Sequence, residues 1–232
     1  MKYDCVVLSY KRPESVRKCV EALRAQGPSP SQIWVWHNAP SVERVDGVVN
    51  VFNEVNSKCR ARHSLGLLSE AQALVFIDDD VLLKDSRVCG TLIEGLKRHP
   101  RSVVGHEGRR CNGVSEKMYW GDGARHTGVE GPVSVVKGKL HAVRRELLRH
   151  AFAYDLPESV WTEDDIVLNA CVQMATGEPS WTIAGIERKW FENMTDDLGN
   201  ETRFDHFALR DSACRYMAEL GWNPTLWRQF GK

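Results

Sequence analysis

The stretch ALVFIDDDVLL, residues 73–83, runs an apolar segment of strand length into three consecutive aspartates and then returns at once to apolar residues. Carboxylates this crowded repel one another and resist desolvation, so a chain that keeps them ionised where its core opens has a cation to neutralise them. The stretch predicts a buried β-strand whose carboxyl end carries Asp78, Asp79 and Asp80.

Before this strand the pattern alternates. YDCVVLS is an apolar run of strand length, and RPESVRKCVEALRAQG follows it as a helix, with Pro13 near its first turn, Val16, Cys19, Val20 and Leu23 on one face and Gly27 as a stop. SQIWVWHN and GVVNVFN read as strands and SKCRARHSLGLLS as a helix. The order β-α-β-β-α-β predicts an α/β fold with a mostly parallel, doubly wound sheet. Ligands of such sheets bind beyond the carboxyl ends of the strands, where Tyr10, Asn38 and the aspartates fall.

After it, DSRVCGTLIEGLKRHP reads as a helix, and residues 105–131 become glycine-rich and polar, as expected of a long excursion over the site. PVSVVKGKLHAVRRELLRH returns as strand and helix. TEDDIVLNACVQMA is a helix with Val167, Ala170, Cys171 and Met174 on one face, and DHFALRDSACRYMAEL closes with Ala213, Tyr216, Met217 and Leu220 similarly spaced. With no repeat or linker to divide it, the chain is expected to form one domain over 1–232, with a first half up to about residue 104 and a second from about 105.

Lys plus Arg and Asp plus Glu are equal at 31 each, so no global charge drives the protein onto nucleic acid or membrane. No apolar run approaches the roughly 20 residues that span a bilayer. The seven cysteines are odd in number, scattered and without a CxxC pair, which argues for reduced thiols and against a disulfide framework or structural zinc. A soluble, cytoplasmic protein is the expectation, and the sequons at Asn193 and Asn200 are read as chance.

Asp78 and Asp80 have the D-x-D spacing that suits a hard divalent cation, Mn²⁺ or Mg²⁺, which shares its shell with a substrate phosphate. Glu163, Asp164 and Asp165 stand at a helix start that Thr162 can cap. They fit a dipole-stabilised first turn as well as a site that holds an acceptor hydroxyl near a sugar carbon. Asn56, Lys58, Arg60 and Arg62 can pair with a diphosphate or form an exposed basic face. Lys137, Lys139, Arg144, Arg145 and Arg149 read as solvated surface able to touch an anionic acceptor. His206, beside Arg203 and Arg210, is the histidine to nominate for a phosphate or metal role, and Trp120 and Trp161 can stack on a base.

Taken in order, LSYKRPESVRKCVEAL, IWVWHNAP, NSKCRARHSL, ALVFIDDDV and EDDIVLN resemble the catalytic domain of the exostosin family of GT-A glycosyltransferases, from Tyr3 to about Leu220. The resemblance implies a nucleotide-binding α/β sheet fused with an acceptor-binding part and a UDP-sugar donor held through manganese. It implies Tyr10, with Arg12 of the same motif, and Asn38 at the uracil or ribose, and Asn56 with Arg60 or Arg62 lining the nucleotide pocket. Asp80 would be the direct metal ligand, supported by Asp78 and Asp79. Asp165, with Asp164 preceding it, would stand beside the anomeric carbon. Glu163 replaces the family's cysteine before the acidic pair, and this leaves Cys214 without the family's bridge.

The expected activity is therefore metal-dependent transfer of a sugar from a UDP-sugar to an acceptor hydroxyl, with retention implied by the resemblance. The acceptor is a glycan or similar hydroxyl. The alternatives are 5-hydroxymethylcytosine in DNA and, from another class, a nucleotidyltransferase or a non-catalytic nucleotide-binding module.

Overall fold

The structure, a computed structural model, describes residues 1–39, 43–113, 117–120, 126–194 and 205–231. Arg203, and the sequon residues Thr195, Asn200 and Thr202, lie outside them. In chain order the strands are β1 (Tyr3–Ser9), β2 (Ile33–His37), β3 (Val49–Phe52), β4 (Ala73–Asp78), β5 (Val81–Leu83), β6 (Val104–Gly105), β7 (Glu107–Arg109), β8 (His126–Thr127), β9 (Gly131–Val133), β10 (Val135–Val136), β11 (Leu140–Arg144), β12 (Ser180–Thr182) and β13 (Phe191–Asn193). The α-helices are α1 (Pro13–Arg24), α2 (Ala61–Leu68), α3 (Val88–Arg98), α4 (Asp164–Thr176) and α5 (His206–Glu219).

Among the described residues, eight strands form the central sheet in the order β3-β2-β1-β4-β11-β6-β12-β9. The four on the β3 side run parallel, as does the pair β6 and β12, whereas β11 and β9 run against their neighbours. The mostly parallel α/β expectation holds. Strands from both halves of the chain enter this one sheet, with β11 laid directly against β4.

Period-two alternation assigns the two faces. Tyr3, Cys5 and Val7 of β1, with Val75 and Ile77 of β4, pack under Val16, Val20 and Leu23 of α1 and Leu92 and Leu96 of α3. Val6, Leu74 and Phe76 face the other way, toward Leu65 of α2, Leu147 and Leu148 of the 3-10 helix Arg145–Phe152, and Leu168 and Val172 of α4. α4 is buried on every side over its first ten residues, because its second face, through Val167, Ala170 and Cys171, packs against Ala213, Cys214 and Met217 of α5. This corrects the expectation of a single apolar face. Gly177 ends the helix at φ 72°, a left-handed cap that glycine adopts without strain.

The glycine-rich segment is not a bare excursion. Its first residues form β6 and β7, and His106, Glu107 and Arg109 are buried in it. All seven cysteines are free thiols, and Cys111 and Cys214 share one core cluster. Among the described residues no helix is long and apolar enough to cross a membrane.

Candidate active site

Parallel pairing brings the carboxyl ends of β1, β2 and β4 to one edge, with Leu8 opposite Asp78 and Ser9 opposite His37. Tyr10, Asn38 and the aspartates are thereby neighbours. Asn38 is buried and held on both ends of its amide: Nδ2 donates to Asn56 Oδ1 at 2.7 Å, and Oδ1 accepts the Ser57 amide at 2.7 Å.

The three aspartates face different ways. Asp79 turns inward, where its carboxylate accepts the Tyr10 amide at 2.9 Å and Arg12 Nη1 at 2.8 Å. Burial pushes this carboxyl up to about 7, against the pull of both donors. The side chains of Asp78 and Asp80 stay about one-third exposed, at 33% and 30%. Asp78 accepts from Arg62 Nη1 at 2.5 Å, and Asp80 lies 3.5 Å from Arg12 Nη1. Two partly exposed carboxylates offer oxygen donors, the ligand type that a hard divalent ion takes alongside phosphates. Among the described residues no three His, Cys, Asp or Glu side chains gather as a metal cage, so His206 does not join Asp78 and Asp80. It opens α5 with its ring against Phe207, on the helix that packs over α4.

Sequence reading offered Arg60 or Arg62 to the nucleotide pocket, with an exposed basic face as the alternative, and the structure sends the two in different directions. Two positions apart at a helix start, they project about 200° from each other. Arg60 donates to the Ala151 carbonyl at 3.0 Å and lies over Phe152. Arg62 points inward, 3% exposed, with Nε 2.8 Å from Asp164 Oδ2 and Nη1 shared between Asp78 and the Gly138 carbonyl. The Arg62 guanidinium is therefore committed to the protein, while Arg60 stays half-buried with one nitrogen on a carbonyl.

The late acidic group is likewise internal. Thr162 does not cap α4; it donates to Glu163 Oε1 at 3.2 Å, and α4 starts without a side-chain cap. Burial pushes Asp164 up to about 7, with Arg62 pulling against it. Beside it, His63 is fully buried and held well below its ordinary range by desolvation, hence neutral, with Nε2 3.5 Å from Asp164 Oδ2. Asp165 is different. Burial alone would raise it, but Arg210 Nη2 at 2.7 Å and the amides of Gly138 and Ile166 hold it below the usual carboxylate range. Arg210 also grips Glu163 Oε2 at 2.7 Å and lies over the Tyr119 ring, so it braces the acidic helix.

Gly138 joins the two acidic groups, and sequence reading missed it. Its N–H donates to Asp165 Oδ2 at 3.0 Å, while its carbonyl accepts from Arg62 and from buried His141. A Cβ here would meet Asp165 Cβ at 3.3 Å. Its neighbours Lys137 and Lys139 are partly exposed, and the Lys139 carbonyl accepts the Asp78 amide at 3.1 Å. No local signal in KGK marks this role, because the charged partners of Gly138 come from α2 and α4. Trp161 is not available to stack, since its ring packs on the α4–α5 core and its N–H donates to the Leu156 carbonyl.

No protein-family model matches the chain, and no curated protein matches its sequence. Solved structures do match. One is a mannosyltransferase, PcManGT from Pyrobaculum calidifontis in complex with GDP-Man and Mn²⁺, at 15% identity and TM-score 0.55, covering 82% of this chain and 58% of that one. S. aureus TarS matches at 14% identity and TM-score 0.62, covering 96% of this chain and 40% of that one. TarS 1-349 matches at 13% identity and TM-score 0.56, covering 95% and 74%. The chain thus spans 58% and 40% of the first two proteins' lengths. At these identities the likeness is one of architecture, and the chain has the mixed α/β fold of GT-A-type glycosyltransferases.

Proposed function

We propose that the protein is a metal-dependent glycosyltransferase that moves a sugar from a nucleotide diphosphate donor to an acceptor hydroxyl. The observation that carries this is the meeting of two acidic groups, Asp78–Asp80 and Glu163–Asp165, through Arg62 and Gly138 at the carboxyl edge of a sheet with glycosyltransferase architecture. The donor is a UDP-sugar on the exostosin resemblance; the GDP-Man bound by the neighbouring mannosyltransferase makes GDP-sugars the second set to screen.

Asp80 and Asp78 would hold Mn²⁺ or Mg²⁺, which when bound supplies positive charge to the donor's phosphates. Tyr10, Asn38 and the Asn56 turn form the floor for base and ribose. With Arg62 committed to Asp78 and Asp164, the partly exposed Lys139 beside the aspartates would supply a cation to the diphosphate, whereas Lys137 is paired with Glu107 at 2.7 Å. In the reaction the acceptor oxygen bonds to the anomeric carbon as the bond from that carbon to the distal phosphate oxygen breaks.

Asp165 is saturated by Arg210, Gly138 and Ile166, and this supports a stabilising role over that of a free base. Its fixed negative charge favours the positive charge that develops at the anomeric carbon, and in a front-face displacement, which retains configuration, the hydroxyl proton leaves with the departing phosphate oxygen. Asp164 positions Arg62 rather than touching substrate.

Incubation with UDP- and GDP-sugars, Mn²⁺ and a panel of acceptors tests the proposal by the product released. Nucleoside diphosphate release that falls about a hundredfold or more in Asp80→Ala is expected. Release of pyrophosphate from nucleoside triphosphates, with no release from any nucleotide sugar, would replace it by a nucleotidyltransferase.

A further inference from the structure

Beside the acidic centre a cavity of about 390 Å³ opens between the 3-10 helix Met118–Trp120 and α5, lined by Lys117, Trp120, Phe207, Ala208 and Asp211. Its aromatic wall is a pair of rings, Trp120 and Phe207, with centroids 4.6 Å apart and planes tilted by 44°. Phe207 is 46% exposed, far more than a core phenylalanine, and it stands in the first turn of α5. Trp120 is kept in place by the buried Arg109, whose guanidinium lies 4.6 Å from the ring. Asp211 Oδ1 accepts the Tyr119 amide at 2.8 Å and ties the two walls together.

Residues next in sequence to these walls reach the catalytic region. Arg210 precedes Asp211 and grips Asp165, and Tyr119 precedes Trp120 and lies beneath Arg210. The residues one position before two of the cavity's lining side chains, Arg210 and Tyr119, thus stand against the acidic start of α4, which places a ligand in the cavity on the side of Asp165 and Glu163.

We infer that this cavity is the acceptor subsite and that its occupant is a pyranose ring of an uncharged glycan; the inference rests on the glycosyltransferase reading above. A pyranose presents a C–H face that packs on aromatic rings and a rim of hydroxyls that pair with a few polar groups, and Trp120 with Phe207, and Asp211 with Lys117, supply these. The charge of the lining argues the same way. One lysine is balanced by one aspartate, whereas a nucleic acid strand needs a run of cations along its phosphates.

Saturation-transfer NMR on the full chain, with methyl pyranosides and the disaccharides cellobiose, maltose and N,N′-diacetylchitobiose as probes, tests the subsite. Calorimetry with UDP, GDP and Mn²⁺ is run in parallel as a separate readout of the nucleotide site. Ring-proton signals are expected from at least one saccharide. Affinity should fall about tenfold in Trp120→Ala and in Phe207→Ala and stay within about threefold in Trp120→Phe, with nucleotide binding unchanged in all three. Nucleotide binding without any saccharide signal overturns the subsite and leaves the glycosyltransferase reading intact, as does saccharide binding that Trp120→Ala does not weaken. Signals from a hydroxymethylcytosine oligonucleotide, lost in Trp120→Ala and absent for every saccharide, overturn it in favour of a base. Loss of both nucleotide and saccharide binding in the wild type overturns both readings.

Discussion

Arg62 Nε lies 2.8 Å from Asp164 Oδ2, each side chain 3% exposed, and the same guanidinium reaches Asp78 at 2.5 Å. One buried cation thus fastens the aspartate end of β4 to the start of α4, with Arg62 itself 102 positions from Asp164 in sequence. Neither acidic group can shift without the other, which gives the proposed donor and acceptor sides a fixed separation.

Removing one partner of such a pair leaves an uncompensated buried charge. Arg62→Met should lower unfolding free energy by about 3–5 kcal/mol in urea denaturation, and the double variant Arg62→Met/Asp164→Leu should recover much of that loss. A single variant within about 1 kcal/mol of wild type would mean that the bridge does not form.

Adjacent aspartates should separate into structural and functional effects. Asp79→Ala strands the Tyr10 amide and Arg12 and should cost about 1–3 kcal/mol of stability. Asp80→Ala, at a partly exposed side chain, should leave the unfolding midpoint close to wild type and abolish any stabilisation that Mn²⁺ with nucleotide confers. Thermal unfolding with and without these ligands reads both.

Gly138→Ala places a methyl 3.3 Å from Asp165 Cβ, and Asp165 or the Lys137–Lys139 backbone has to move to admit it. Turnover should drop by about tenfold or more, while nucleotide affinity stays within about threefold, because the displaced groups set the geometry of reaction rather than the nucleotide floor. Steady-state kinetics beside calorimetry checks the split.

Burial holds His141 down to about 4, with the Arg62 charge acting in the same direction. Its folded pKa lies below the unfolded value of about 6.5, so the stability it contributes is fully present above pH 6.5 and is lost as pH falls toward 4. His141→Phe keeps an aromatic ring against Phe76 and removes the titration. Its stability should decline less steeply than wild type between pH 6.5 and 4, by up to about one proton's worth of slope, in denaturation series across that range.

The doubly wound half was legible because each element there carries its own period. Val16, Cys19, Val20 and Leu23 lie at helical spacing, and the strand before the aspartates is apolar throughout. Asp78–Asp80 and the late acidic helix start could be marked for the same reason, as local breaks in local patterns. The direction of Arg62 could not, because SKCRARH reads as a basic face and the anions that draw Arg62 inward come from distant parts of the chain. Thr162 failed as a cap for a related reason: the acidic side chains after it answer to Arg62 and Arg210. Gly138 and the Trp120–Phe207 cavity exist only once separate elements meet, so no single window of sequence contains them.

Calorimetric titration of UDP, and then GDP, into the protein with and without Mn²⁺, repeated on Asp80→Ala, tests the central claim most directly. Binding that requires the metal and disappears in the variant is the predicted result. Wild-type protein that binds neither nucleotide in the presence of Mn²⁺ would contradict it and leave the three aspartates as an acidic turn on an inherited fold.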